Sequence, residues 1–359
     1  MNQPRSSSKP RLTQGRVLPL VRLVAALLVV LLVWGCGPNQ SEEEKPLIKL
    51  HDSLSDSHWI ANGIAEFIIE KGYGYPVETV VESTPAMEEA LPRGEIHLNL
   101  EGWQQNIIEW YNSELEKGTI VNLGMIYEGG PQYFIIPQWV ADEHDIKTVA
   151  DMKEHWKLFQ DPQDPSKGVF YNCISGWQCA KINQVKLEAY GLDEYYNLVS
   201  PGSSTALTAA FENAQENSGP VFGYYWEPSP LTVVYEWQIL EEPPYNVDCW
   251  DKIMDATQDD AVRPVTQACA YQNLPIDKLA HAGLVETAPE VMEMLKAMVV
   301  GLEAIGSTMA WSAENNVHDG EKAAIHYLLN YKDRWRTWVT PEAYQRVQEA
   351  VDMAAQASP

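Results

Sequence analysis

From Leu47 onward, short apolar runs alternate with longer segments whose apolar residues recur at helical spacing. The short β-favouring runs predict strands, and spacing of three or four residues predicts helices with one buried face. The predicted strands are 47–50, 77–81, 96–100, 168–171 and 221–225. The predicted helices run from Trp59 to Ile68, from Pro85 to near Gly94, over 179–190 and 205–215, and through a helix-rich region from Pro289 onward. This βαβ rhythm with short connections predicts an α/β fold with mostly parallel sheets.

The rhythm occurs twice, which predicts two α/β lobes with a ligand cleft between them. The first lobe is expected to comprise 47–140 and to be completed by 246–359, which contains the helical C-terminal region, and the second lobe is expected at 141–245. In open α/β sheets, ligands bind beyond the carboxyl ends of the strands. Three tryptophans are expected at such strand ends: Trp103, Trp177 and Trp226.

The N-terminal segment follows a different pattern. A leader with five basic residues precedes an apolar run, 23–33, that ends shortly before Gly35-Cys36. This arrangement is typical of a secretory signal, and the cysteine after Gly35 predicts a lipoprotein signal peptide over 1–35 and a lipidated tether over 36–46. A transmembrane anchor is the alternative, but the run is shorter than the roughly 20 apolar residues of a span. We therefore expect attachment outside the cytoplasmic membrane, periplasmic or at the cell surface, through lipid on Cys36.

The charge balance excludes some classes of partner. The chain has 25 basic and 50 acidic residues, and the leader contains five of the basic ones and none of the acidic ones. The remainder therefore has 20 basic against 50 acidic side chains, a formal charge of about −30. Nucleic acids and anionic lipids require a basic surface, so we expect no nucleic-acid partner.

Four cysteines remain when Cys36 is assigned to the lipid. An even number in an exported chain predicts two disulfides, and local pairing, Cys173 with Cys179 and Cys249 with Cys269, is the first choice among three connectivities. A zinc site is the alternative, but five and 19 intervening residues match no common zinc motif, and the histidines do not cluster nearby. We expect no metal and no cofactor.

Aromatic rings that converge from separate segments are suited to a quaternary ammonium group. Such a group makes no ordinary hydrogen bonds and is recognised by the negative faces of tryptophan and tyrosine rings. Trp103, Trp177 and Trp226 are the predicted walls of this site. Trp59, at the start of a predicted helix, and Glu101, beside Trp103, are further candidates for ligand contact.

Several motifs resemble those of glycine betaine/proline betaine binding proteins of ABC importers. Cys173-Ile-Ser-Gly-Trp-Gln-Cys179 resembles that family's Cys-Asn-Pro-Gly-Trp-Gly-Cys segment. Tyr224-Tyr-Trp-Glu-Pro228 is similar to its Tyr-Tyr-Trp-Thr-Pro, and Glu101-Gly-Trp103 to its Val-Asn-Trp-Thr-Pro. The resemblance implies a two-lobed periplasmic-binding-protein fold, type II-like, in which three tryptophans box a trimethylammonium group.

The resemblance also implies how the rest of a ligand is bound. The backbone N–H groups of Trp177, Gln178 and Cys179 are expected to hold a ligand carboxylate, since amides that open a helix favour anions. The family pattern places a histidine where this chain has Ile107, so Gln104, Gln105 or Asn106 are the candidate replacement donors.

Acidic residues near the predicted box widen the choice of ligand. Glu101, Glu128 and Glu227 lie close in sequence to box segments, and carboxylates favour a bare cation such as choline, or the positive end of trimethylamine N-oxide. The leading prediction is capture of glycine betaine by lobe closure for an ABC permease in the membrane, in osmoprotection or nutrient uptake. Choline, trimethylamine N-oxide or a sugar on the same fold are the alternatives.

An enzyme is the rival class. A glycoside hydrolase needs a positioned pair of carboxylates, and no residue pattern here identifies such a pair, a Ser-His-Asp motif or a phosphate loop. We therefore expect a binding protein without catalytic residues, which either transports its ligand or reports it to a sensor.

Overall fold

Two five-stranded sheets, each covered by helices, organise the computed structural model, which describes residues 45–357. The predicted leader over 1–35, Cys36 and the tether as far as Glu44 lie outside the described residues. The strands are β1 Ile48–Asp52, β2 Val77–Val81, β3 Leu98–Gly102, β4 Ile120–Tyr127, β5 Gln132–Pro137, β6 Gly168–Tyr171, β7 Tyr196–Val199, β8 Gly223–Trp226, β9 Trp237–Ile239 and β10 Ile276–His281.

The helices are distributed along the whole described chain. They are α1 Asp56–Phe67, α2 Thr84–Arg93, α3 Ile108–Lys117, α4 Gln138–His144, α5 Met152–His155, α6 Gln178–Tyr190, α7 Ser204–Glu216, α8 Leu231–Val234, α9 Val247–Gln258, α10 Leu284–Thr287, α11 Pro289–Ala297, α12 Leu302–Glu314, α13 Gly320–Asn330, α14 Lys332–Trp335 and α15 Pro341–Ala357. A π-helical turn, Ile68–Tyr73, continues α1, and 3-10 turns occur at Gln104–Asn106, Val149–Asp151, Trp156–Phe159 and Asp260–Val262. None of the helices between Lys45 and Ala357 combines the length and apolar character of a membrane span.

The first sheet has the order β2-β1-β3-β10-β4. β1 runs parallel to β2 and β3, and β10 runs antiparallel between β3 and β4. The second sheet has the order β7-β6-β8-β5-β9, in which β6 is parallel to β7 and β8, whereas β5 is antiparallel to β8 and β9. Each sheet thus has one reversed strand, which confirms the predicted α/β class with mostly parallel order.

The chain changes sheets at positions that differ from the predicted boundaries. β4 ends in the first sheet at Tyr127 and β5 begins in the second at Gln132, which is earlier than the boundary expected near 140. The return occurs between Tyr271, which packs in the second core, and Ile276 of β10 in the first sheet, not near 245. α9 belongs to the second lobe because its buried face, which includes Trp250 and Ile253, packs in that lobe's core.

Each lobe has its own apolar core. The main core of the first lobe joins β1, β3 and α1 to the C-terminal helices, and that of the second lobe surrounds β5, β6 and β8. Trp103 packs against both cores. The structure pairs Cys173 with Cys179 and Cys249 with Cys269, the local connectivity predicted from the sequence.

Candidate functional site

A cavity of about 60 Å³ lies between the two lobes and contains most of the predicted site residues. At roughly 10–15 Å³ for each water-sized sphere, it accommodates only a few such groups. The predicted residues that line it are Glu101, Trp103, Trp177, Gln178, Cys179 and Trp226. The cavity is therefore suited in size to a small solute.

The three tryptophans reach the cavity from the carboxyl ends of three strands. Trp103 directly follows β3, Trp226 is the last residue of β8, and Trp177 precedes α6 in the loop after β6. The ring centroids of Trp177 and Trp226 are 5.3 Å apart with an interplanar angle of 74°, so the two indoles form adjacent, nearly perpendicular walls. The arrangement presents aromatic surface in more than one direction, as a cage for an alkylammonium group requires.

The disulfide loop orients Trp177 and the start of α6. Gly176 adopts a φ of 93°, which is unfavourable for residues with a side chain, and Trp177 is the N-cap of α6. The Trp177 backbone N–H donates to the Ile174 carbonyl at 3.1 Å, so this N–H is already occupied within the loop. Of the three expected carboxylate donors, only the N–H groups of Gln178 and Cys179 occupy the first helical positions, which have no acceptor one turn earlier.

Neighbouring groups hold the rings in position. A Cβ on Gly130 would lie 2.8 Å from a Trp103 ring carbon, so the glycine at this position makes room for the indole. Tyr224 stacks on Trp226 with centroids 5.8 Å apart, and its hydroxyl donates to Gln132 Oε1 at 2.7 Å. Gln132 in turn pairs with Asn106, which lines the cavity from the first lobe.

Glu101 is the carboxyl group of the cavity wall. It is 5% exposed, and burial raises its pKa to about 7, although the nearby Ser57, Tyr127 and Trp103 donors oppose the shift. Its Oε2 accepts from Trp103 Nε1 at 3.4 Å, whereas Oε1 has no hydrogen bond of good geometry among the described residues, although the Ser57 and Tyr127 hydroxyls lie near the carboxyl group. Glu101 can therefore offer either a proton donor or a negative charge to a ligand, depending on pH.

The remaining lining residues offer little to a carboxylate. No Lys or Arg is among the described residues that line the cavity. His51 is present, but burial lowers its pKa and favours the neutral ring. Ile107, at the position of the family's histidine, is 6% exposed and contributes an apolar surface to the wall.

Two further segments of the first lobe, which were not predicted from the sequence, also line the cavity. His51, Ser53 and Ser55 follow or end β1, and Thr84 and Met87 come from α2. The β1 residues could have been predicted, because β1 runs parallel to β3 and the carboxyl ends of parallel strands lie at the same edge of a sheet.

Other sequence candidates lie elsewhere. Trp59 is absent from the lining of the cavity, and its indole N–H donates to Asp56 at 3.2 Å because it lies one helical turn along α1. Glu227 accepts from the Tyr133 hydroxyl at 2.8 Å, and Glu128 accepts from the Leu302 backbone N–H at 3.0 Å. Neither of these glutamates lines the cavity, so Glu101 is the acidic residue of its wall.

Of the candidate replacement donors, only Asn106 reaches the cavity. The Gln104 side chain donates to the Pro275 carbonyl at 3.0 Å, and the Gln105 side chain donates to the Gly130 carbonyl at 3.2 Å. Gln178 lines the cavity, but its side-chain amide donates to Thr257 at 3.1 Å.

Several hydrogen bonds join the two lobes beside the cavity, in addition to the Asn106–Gln132 pair. Trp177 Nε1 donates to the Ser53 carbonyl at 2.7 Å, and Ser204 Oγ donates to the Leu54 carbonyl at 3.0 Å. The Thr84 backbone N–H donates to the Gly176 carbonyl at 3.1 Å. The structure is therefore a closed arrangement of the two lobes.

Comparison with known proteins gives a consistent picture. Trimethylamine N-oxide-binding protein of Pelagibacter ubique is 22% identical over 331 residues, which cover 88% of this chain and 98% of that protein. The glycine/betaine/L-proline-binding protein of an ABC transporter from Borrelia burgdorferi has a similar structure, with a TM-score of 0.67 at 19% identity, over 84% of this chain and all of that one. A choline-binding protein of an ABC transporter, in complex with choline, gives a TM-score of 0.66 at 18% identity, over 85% of this chain and 98% of that one.

These structural likenesses establish the two-lobed fold of substrate-binding proteins. The family described as the substrate-binding domain of ABC-type glycine betaine transport systems matches residues 47–330, which is most of the chain. The protein belongs to this family of transport substrate-binding domains.

Proposed function

We propose that this protein captures a small trimethylated amine without a carboxylate, with trimethylamine N-oxide as the first candidate and choline as the second. The observation that carries the proposal is the Glu101 carboxyl, buried in the wall of a cavity that three tryptophans line. The tryptophan rings bind the methyl groups. Glu101 discriminates between ligands by the chemical group that the trimethylated nitrogen carries. No catalytic step is required, and the closed lobes would present the solute to an ABC permease.

The charges of the cavity disfavour glycine betaine, the leading candidate from the sequence. A ligand carboxylate beside an ionised Glu101 is repelled, because like charges in a partly dehydrated site interact strongly. No described lining residue is Lys or Arg, and the Trp177 N–H that was expected to hold the carboxylate donates to Ile174 instead. Glycine betaine would have to rely on the first amides of α6 and on a protonated Glu101.

Trimethylamine N-oxide suits the same groups. Its N-oxide oxygen is a strong hydrogen-bond acceptor, and a protonated Glu101, whose pKa burial raises to about 7, is a donor within the cage. The relative from Pelagibacter ubique, which aligns with most of this chain, is named for binding this solute.

Choline is favoured by the ionised form of Glu101, whereas trimethylamine N-oxide is favoured by the protonated form. The charge of choline is not balanced within the molecule, so an ionised carboxylate in the wall stabilises it. The two candidates therefore differ in pH dependence: affinity for the N-oxide decreases as Glu101 ionises above its pKa, whereas affinity for choline increases.

Isothermal titration of the full-length chain with trimethylamine N-oxide, choline and glycine betaine tests the proposal. The titrations are made at one pH below and one pH above the Glu101 pKa of about 7. We expect the N-oxide to bind most tightly at the lower pH, and choline to gain relative to it at the higher pH. Tightest binding of glycine betaine at both pH values contradicts the proposal, as does the absence of binding by all three.

We further propose that the protein is attached to the membrane by lipid on Cys36, outside the cytoplasm. The leader pattern over 1–35 supports this, and so do two cysteine pairs that require an oxidising compartment. Mass spectrometry of the purified envelope protein should give a lipid-modified N-terminal Cys36. An unmodified N-terminus elsewhere in the tether, or an intact leader, contradicts the proposal.

A further inference from the structure

The segment that follows β1, residues 53–55, is here called the closing segment because the second lobe is hydrogen-bonded to it. The Ser53 carbonyl accepts from Trp177 Nε1 at 2.7 Å, and the Leu54 carbonyl accepts from Ser204 Oγ at 3.0 Å. Ser53 and Ser55 also line the cavity. The closing segment is therefore part of the wall of the site and also part of the contact between the lobes.

The backbone of the closing segment turns sharply between these two carbonyls. Leu54 has a φ of 64°, a left-handed conformation that is rare outside glycine. In an extended strand, successive carbonyls point to opposite sides, so the turn at Leu54 is what lets both carbonyls meet the second lobe. Such a conformation is unfavourable by itself and persists only where surrounding contacts hold it.

Two buried side chains of the first lobe hold the turn. Asp52 Oδ1 accepts from the Leu54 N–H at 2.7 Å. His58, in the first turn of α1, uses its Nδ1 to accept from the Ser53 backbone N–H at 3.3 Å, and the same Nδ1 lies 2.9 Å from Ser53 Oγ. Ser53 is thus held by His58 through its N–H and hydroxyl, while its carbonyl contacts the other lobe.

The contact with Ser53 requires one form of the His58 ring. A backbone N–H can only donate, so Nδ1 carries the lone pair and the proton of the neutral ring is on Nε2. Burial, together with the nearby His51, lowers the pKa of His58 well below its ordinary value, which keeps the ring neutral. Nε2 has no hydrogen-bond partner among the described residues. Within the described chain, the side chain of His58 is therefore bonded to Ser53 alone.

We propose that His58 is a positioning residue for ligand capture, which holds Ser53 where its carbonyl meets the Trp177 indole N–H across the cleft. His58 is not among the described residues that line the cavity, so it acts on the ligand through the closing segment. This role rests on the proposed capture by lobe closure, but it is the same for each candidate solute. Without the acceptor at Nδ1, the Ser53 N–H is left unpaired and the segment can turn away from Trp177, which disfavours the closed form.

A pair of substitutions at His58 separates this contact from the bulk of the ring. His58→Asn places an amide oxygen on the γ carbon, where histidine has Nδ1, and so keeps an acceptor. His58→Leu fills similar space without one. In titrations of the full-length chain with trimethylamine N-oxide, choline and glycine betaine, His58→Leu should weaken binding of the tightest solute by about fivefold, and His58→Asn by less than about twofold.

His97→Leu is the matched control. The His97 Nδ1 accepts from the Lys49 backbone N–H at 2.9 Å, so it makes the same kind of contact with β1, but at the end of the strand away from the cavity. This variant should leave affinity unchanged. His58→Met, with a flexible side chain that adapts to irregular space, replaces His58→Leu if that variant does not fold.

A double-mutant cycle tests whether His58 acts through Trp177. Trp177→Phe already lacks the indole N–H, so adding His58→Leu to it should weaken binding by less than about twofold further. In the ligand-free protein, hydrogen exchange of the Trp177 indole N–H should be faster in His58→Leu than in the wild type or His58→Asn.

Three results overturn the proposal: unchanged affinity in His58→Leu, a loss in His58→Asn as large as in His58→Leu, or a full fivefold loss when His58→Leu is added to Trp177→Phe. Failure of the proposed function is recognised separately, because the wild type then binds none of the three solutes. The exchange measurement needs no ligand and decides in that case, since equal exchange rates in the wild type and His58→Leu contradict the role of His58.

Discussion

Trp177 and Glu101 each present one group to the ligand and use another group for a hydrogen bond within the protein. Trp177 presents a ring to the cavity, perpendicular to Trp226, while its indole N–H bonds the Ser53 carbonyl across the cleft. Glu101 bonds the Trp103 indole through one oxygen and leaves the other without a hydrogen bond of good geometry among the described residues. Substitutions that remove one interaction and retain the other therefore separate recognition from closure.

Trp177→Ala should weaken binding of the ligand by about 100-fold, since it removes a desolvated cation–π wall and a hydrogen bond across the cleft. Trp177→Phe keeps a ring but not the N–H donor, and should weaken binding by only about fivefold. Isothermal titration of both variants measures the two effects, with Trp139→Ala, which removes a 37% exposed indole on α4, as a control. Equal losses in the two variants would mean that the ring itself contributes nothing.

Glu101 also makes the stability of the ligand-free protein depend on pH. Burial raises its folded-state pKa from 4.5 to about 7, so ionisation is disfavoured in the folded protein. The stabilisation is complete below pH 4.5 and is lost as the pH rises to about 7 and above, a change of about 3 kcal/mol. Glu101→Gln cannot ionise and should be more stable than the wild type at alkaline pH by a similar amount.

Urea unfolding across this pH range measures that difference. The free energies of unfolding of the wild type and of Glu101→Gln should diverge as the pH rises. Parallel curves would show that the carboxyl group is hydrated or compensated in the ligand-free protein.

The helices and strands that could be predicted well are those in which the pattern of apolar residues along the sequence matches the pattern of buried residues. β2, β6, α6 and α7 were located to within about one residue, because apolar periodicity and flanking Gly or Ser residues mark their ends. β10 was missed because it carries Asp277 and Lys278 into a central position of the sheet. Both are buried and are satisfied only in the folded protein, Asp277 by the Tyr111 hydroxyl at 2.7 Å and Lys278 by the Met125 carbonyl.

The lining of the cavity could be predicted only in part. Trp103, Trp177 and Trp226 could be predicted to lie together because they follow short local motifs at strand ends, whereas the residues after β1 carry no such motif. Trp59 does not line this cavity, because a position at the start of a helix does not reveal from the sequence which side of α1 the side chain occupies.

The two disulfides should differ in what they contribute. Cys249–Cys269 should act mainly on stability, and Cys173–Cys179 mainly on ligand binding. Loops of six and 20 residues predict entropic contributions of about 2 and about 3 kcal/mol. Cys249→Ser with Cys269→Ser should therefore lower the thermal midpoint more, with little change in affinity. Cys173→Ser with Cys179→Ser should lower it less but weaken binding by more than about tenfold, because this loop orients Trp177 and opens α6.

Thermal unfolding and titration of the two double variants measure this contrast. An unchanged affinity without the Cys173–Cys179 bond would mean that the loop is held in place by its hydrogen bonds alone.

For the molecule as a whole, lobe closure should be sensitive to the few hydrogen bonds that cross the cleft. Ser204 donates across the cleft to the Leu54 carbonyl at 3.0 Å, whereas its neighbour Ser203 caps α7 by accepting from the Ala206 N–H at 3.2 Å. Adjacent serines thus act at different levels, one on the closing equilibrium and one on the stability of a helix. A ligand that binds the closed form shifts the same equilibrium as the Ser204 bond.

Ser204→Ala should weaken ligand affinity by about threefold to tenfold, chiefly through faster dissociation, with little loss of stability. Ser203→Ala is the matched control and should lower stability by about 1 kcal/mol without changing affinity. Stopped-flow binding and thermal unfolding measure the two effects. If Ser203→Ala weakened affinity while Ser204→Ala lowered only stability, the bond between Ser204 and Leu54 would not be a closing contact.

The two sheet-crossing segments have a mechanical consequence. They are joined to each other, since the Gly130 backbone N–H, in the segment between β4 and β5, donates to the Asn273 side chain at 3.1 Å, just before β10. Two bodies connected by a pair of adjacent covalent links rotate easily about the line through those links and resist sliding or twisting. Opening should accordingly have one principal degree of freedom, so distances measured between any two pairs of spin labels across the cleft should change in fixed proportion as ligand is added.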